Sequence, residues 1–164
     1  MIKYMLISVV LIFAWRCSKN TPVDPYNLSI NQLLSAPDTI TVEDKQLYLT
    51  TWLYRDFASK NYWSYETLFV GCFISSTDRK HINDLISVET VWIVYKNQVW
   101  HSQLKEMVMP PQAIWPELAM ESVDRGPKWG PNVYVDVIIN VIDKKGNTKL
   151  LRAPNQLITS LGSQ

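Results

Sequence analysis

The sequence predicts an all-β fold, an antiparallel sandwich of the immunoglobulin-like or fibronectin-like type with about seven strands. Three observations carry this expectation. Apolar residues alternate with polar or aromatic ones at a spacing of two over run after run. Turn formers separate the runs, and no apolar stripe at helical spacing persists, so the crossover helices of an α/β fold are missing. The 164 residues, 47% hydrophobic and 19% charged, exclude a disordered polar chain and suffice for one domain.

The elements follow in order. Met1 to Arg16 reads as a cationic start at Lys3 and an apolar run from Met5 to Ala14. A bilayer span needs about 20 apolar residues, so this run has the length of a signal-peptide helix. Residues 17–30 begin with Cys17 and continue as a polar tether broken by Pro22 and Pro25. Residues 31–164 form the β domain. Its first strand material lies at Gln32 to Leu34 and Thr39 to Val42, split by Ala36-Pro37-Asp38. Gln46 to Phe57 is a long strand with Leu47, Leu49 and Leu53 on one face and Tyr48, Trp52 and Tyr54 on the other. Glu66 to Ser75 places Leu68, Val70, Cys72 and Ile74 on a single face, which makes Cys72 a core residue. Ile86 to Tyr95 and Gln98 to Leu104 form a hairpin across Lys96-Asn97.

Lys105 to Glu121 contains Pro110, Pro111 and Pro116, so it is not expected to pair centrally, and Glu117 to Val123 reads as a helical turn. Asn132 to Asp143 alternates Val133, Val135, Val137, Ile139 and Val141 with their neighbours and is the expected central strand. Thr148 to Ala153 returns from a glycine-containing hairpin and should end at Pro154.

A cysteine directly after a short apolar leader resembles the bacterial lipoprotein signal. That resemblance implies a diacylglyceryl group on Cys17, removal of Met1 to Arg16, and anchoring in the outer membrane of the cell envelope, facing the periplasm or the surface. Trp15 and Arg16 stand where that family carries small residues. Asp124-Arg125-Gly126-Pro127-Lys128-Trp129-Gly130-Pro131, with Val133 to Val137, Leu150 to Ala153, Ser35 to Thr39 and Tyr54 to Phe57, resembles small exported bacterial proteins of unknown function. The resemblance implies export and fold, and no activity.

Sixteen basic and fifteen acidic side chains leave a net charge of +1, which excludes the cationic excess that binds nucleic acid through counterion release. Only two cysteines are present, so the core, rather than a disulfide framework, must hold the fold. No glycine-flanked serine elbow appears, and His81 and His101 lack the spacing of a metal pair. The expectation is a non-catalytic binding or structural module that needs no cofactor and no metal. The alternative is a carboxylate-dependent hydrolase of the envelope using Asp56 and Asp136.

Candidate contact residues follow from aromatic and cationic residues in connections. Trp129 sits between two glycines and two prolines, with Arg125 and Lys128 placed for carboxylate or sulfate groups. The competing reading makes Trp129 a plug at one end of the domain. Trp63 and Trp115 also lie in connections and are read as surface aromatics for a protein or glycan partner, whereas Trp52, Trp92 and Trp100 are read as core.

Overall fold

A computed structural model of the chain describes residues 27–57, 66–108 and 117–161. The leader, Cys17, Trp63 and Trp115 lie outside the described residues. A helix, α1 (Ile30–Leu34), comes first. Ser29 Oγ accepts from the Gln32 amide at 3.3 Å, and Gln32 Oε1 accepts from the Ser29 amide at 2.9 Å. This reciprocal cap satisfies two donors that a helix start otherwise leaves open. The strand expected at Gln32 to Leu34 is therefore helix.

Eight strands follow: β1 (Thr39–Val42), β2 (Lys45–Asp56), β3 (Leu68–Ser76), β4 (Ile86–Tyr95), β5 (Gln98–Glu106), β6 (Leu118–Ser122), β7 (Val133–Asp143) and β8 (Thr148–Leu161). The all-β class is as expected, but the immunoglobulin-like sandwich is not what forms. The lateral order β2-β3-β6-β5-β4-β7-β8 is continuous, and β8 returns to pair in parallel with β2 through Tyr54–Thr159, Arg55–Ser160 and Asp56–Leu161. Seven strands thus close into a barrel, with β1 as an antiparallel flap on β2.

A sandwich would need β2-β3 and β5-β4-β7-β8 to stay apart. On one side β6 joins them, pairing with β3 from Gly71–Glu121 to Ile74–Leu118 and with β5 from Leu104–Ser122 to Glu106–Met120. The three prolines of that region precede β6 instead of interrupting it, so its amides are free to pair. Closure removes the open edges on which a sheet can aggregate.

The interior is packed with side chains, as a barrel this narrow requires. Leu47, Leu49 and Leu53 of β2 meet Leu68, Val70, Cys72 and Ile74 of β3 and the inward valines and isoleucines of β4 and β7. Ile82, fully buried, enters this core from the β3–β4 loop, and Trp129 packs against it from the segment before β7. Apart from Arg55, the charged side chains among the described residues are not buried. That polarity is the reverse of membrane barrels, which are polar within and apolar without.

Two bulges adjust the register. In β4 the pairing with β7 slips between Val88 and Val91. In β8, Pro154 and Asn155 oppose Asp136 alone, since Val135 pairs with Gln156 and Val137 with Ala153. The strand expected to stop at Pro154 therefore runs on to Leu161, because a bulge asks no ladder hydrogen bond of the proline.

On the outside, Leu33 of α1 and Ala36 just after it pack over Trp92, Val94 and Ile138. Arg152 fastens the helix, donating to the Leu34 carbonyl from Nη1 and to Asp136 Oδ1 from Nε at 3.0 Å. A cation on the last carbonyls of a helix is favourable for both charge and hydrogen bonding.

Candidate functional site

The segment from Asp124 to Pro131 crosses one end of the barrel. Gly126 pairs with Leu68, and a Cβ at Gly126 would stand 2.9 Å from the Leu68 Cβ, so only glycine permits that approach. Gly130 takes a positive φ of 79° before the cis Gly130–Pro131 bond. Between these points Trp129 leans on the core, its ring 5.6 Å from that of Tyr95.

Beneath the segment Arg55 is buried, donating from Nε to the Glu66 carbonyl at 2.8 Å and from Nη1 to the Gly130 carbonyl. Its guanidinium lies 4.8 Å from the Phe57 ring centroid. The Glu66 carboxylate is shared between Arg55 at 3.5 Å and Lys128 at 3.4 Å. A buried guanidinium is tolerable only when so paired. Lys128 thus has a local partner, whereas Arg125 is exposed and enters no ion pair with the described residues.

Arg125 is within electrostatic reach of a second feature. Because the leucines of β2 face inward, Trp52 and Tyr54 face outward, beside Phe69 of β3. Tyr54 stacks on Phe69 with centroids 4.8 Å apart, and Trp52 lies 5.0 Å from Tyr54 and 5.9 Å from Phe69. Trp52 is 50% exposed. It sits opposite Gly71, where a cross-strand indole covers backbone that a side chain would otherwise shield. The same outer row continues through Glu121 to Lys105, which pair at 3.0 Å. Burial raises the Tyr54 hydroxyl above its ordinary pKa, and nearby Asp56 adds to this, while Arg125 acts in the opposite sense.

The result is three clustered rings on an open sheet face with ionic groups on its borders. Such a face can stack on a flat apolar surface while its margin supplies hydrogen bonds. Of the contact residues read from the sequence, Arg125, Lys128 and Trp129 share one barrel end, and Arg125, like Asp56, acts electrostatically on Tyr54 of this aromatic face. Trp52 is not core, contrary to expectation, because a barrel interior of seven strands already filled by leucines has no room for an indole. The cue was present in the alternation itself, which puts Trp52 and Tyr54 opposite the leucines.

Elsewhere, Cys72 is fully buried and its thiol is pushed up to about 12 by desolvation, which leaves it inert as a nucleophile. Asp136 on β7 is held by Arg152 of β8, away from Asp56 at the end of β2. Among the described residues no three His, Cys, Asp or Glu side chains group as metal ligands, and no helix is long and apolar enough to cross a membrane.

No family model, curated protein or solved structure matches the chain.

Proposed function

We propose that the protein is a non-catalytic binding module of the cell envelope, lipid-anchored through Cys17, that recognises an envelope glycan on the face of Trp52, Tyr54 and Phe69. The exposed ring cluster is the observation that carries the reading: a half-exposed tryptophan on a strand whose leucines fill the core is available for stacking rather than needed for packing. Arg125 and the Lys105–Glu121 pair supply polar contacts at its margin, as a sugar requires. The lipid anchor is supported by Lys3, the apolar run to Ala14 and the position of Cys17. Ten or so residues of polar tether then hold the barrel near the bilayer.

Tryptophan fluorescence during titration with isolated envelope polysaccharide tests recognition, and Trp52→Ala should abolish the response while the barrel stays folded. An unchanged response in that variant would refute the glycan face. Mass spectrometry of the membrane-extracted chain tests the anchor, which fails if Cys17 carries a free thiol.

A further inference from the structure

We propose that a cavity between α1 and the outer wall of β4, β7 and β8 binds a small organic cation with an apolar body. This site is separate from the aromatic face and does not depend on it. The cavity has a volume of about 450 Å³, within the size range of small-ligand sites. Leu28, Trp92, Ile142 and Leu150 give it apolar walls, and Glu89 and Asn140 give it polar ones.

The β4 bulge builds it. Asn140, 4% exposed, accepts the amides of Glu89 at 3.1 Å and Thr90 at 2.7 Å on its single Oδ1. This fixes the extra residue, so that Val88 and Val91 both face the barrel interior while Trp92 turns outward under α1. Bulges commonly re-aim side chains in this way beside binding sites. Without the slip, Trp92 would point into the barrel and the cavity would lose its aromatic floor. What Asn140 has left to offer the cavity is its Nδ2 donor pair, since Oδ1 is spent on the bulge.

Charge selects the ligand. Glu89 is the one charged side chain among the described residues lining the cavity, and it makes no ion pair with them. No lining cation is present to hold an anion. An ammonium group finds a carboxylate at Glu89 and an indole at Trp92, both of which attract cations, and its hydrocarbon part fits against Leu28, Ile142 and Leu150.

The test is an amide NMR titration of the full chain with three probes of one shape: phenethylammonium, phenethyl alcohol and hydrocinnamate. Phenethylammonium should shift Glu89, Trp92 and Leu150, the alcohol should do so more weakly, and hydrocinnamate should not. Glu89→Gln should weaken the ammonium probe roughly fivefold and leave the alcohol unchanged. Thr148→Trp, at an exposed residue of the cavity lining, should abolish all shifts. Equal shifts with hydrocinnamate, shifts centred on Trp52 and Tyr54, or no shift at millimolar ammonium would each overturn the proposal. So would ammonium binding that Glu89→Gln does not weaken.

Discussion

Leu53 and Trp52 are adjacent in sequence and opposite in consequence. Leu53 is 3% exposed inside the barrel, whereas half of Trp52 remains in water. Leu53→Ala should therefore destabilise the protein by about 2 to 5 kcal/mol, through lost transfer energy and the hole it leaves. Trp52→Ala should cost under about 1.5 kcal/mol, reflecting the loss of cross-strand cover on Gly71. Urea unfolding of the two variants measures the contrast, and a larger loss at Trp52 would mean that its ring is structural. Asp78 supplies a pH dependence. It accepts from Lys45 at 2.8 Å and from Ser76 at 2.6 Å, and these bonds hold its carboxyl well below the usual carboxylate range. Its native pKa lies below its unfolded one, so its contribution is fully present above about pH 4 and is lost as pH falls toward the native value. Asp78→Asn should flatten that acid limb of a stability profile followed by urea midpoint, and an unaltered limb would assign it to other carboxylates. At this scale the sequence was informative: the alternation of Leu47, Leu49 and Leu53, and of Leu68 through Ile74, identifies the buried face. It failed at Trp52 only where a general tendency of aromatics to be buried was set above the pattern of its own strand.

Among the elements, those that depart from plain alternation were least legible. The helix α1 is five residues long, too short to show an apolar period, and is specified by its cap and by what it covers. The bulge in β4 depends on Asn140, fifty residues away from Thr90 in sequence. Asn140→Ala leaves the Glu89 and Thr90 amides without their acceptor and should cost about 1 to 3 kcal/mol. Hydrogen exchange in that variant should accelerate at Glu89 and Thr90 before it does in β7–β8. Unchanged protection at these two amides would mean that the bulge is held by packing alone. Pro154 teaches the same lesson from the other direction. A proline ends a strand by default, but opposite Asp136 the ladder has already slipped, and the chain passes through.

The whole molecule is a ring of strands whose seams differ in length, and the β2–β8 seam is its parallel one. The β7–β8 pairing runs from Val133–Ile158 to Ile142–Thr148, whereas β2 and β8 meet through three parallel pairs, supported by Phe57 donating to Leu161 and Thr159 to Leu53. Short parallel seams are expected to open first. Amides of residues 159–161 and Phe57 should exchange well before those of β7, and exchange at equal rates would show that the barrel opens only by global unfolding. The all-β class was readable because the two-residue rhythm is local, a property of each run by itself, whereas the strand tally was not: Gln32 to Leu34 is helix and β6 is strand. The rhythm separates inside from outside in β2, β3 and β7 without reference to any neighbour, and in β4 on either side of the bulge. Which strand lies beside which was not readable, because a lateral partner leaves no mark on that rhythm: β6 follows three prolines, and its role becomes visible only when β3 and β5 approach it from either side. The same holds for the parallel return of β8 onto β2. Faces are written along the chain, where apolar spacing acts over a few residues; closure, the cavity under α1 and the exposed ring cluster arise only when segments far apart in sequence meet in space.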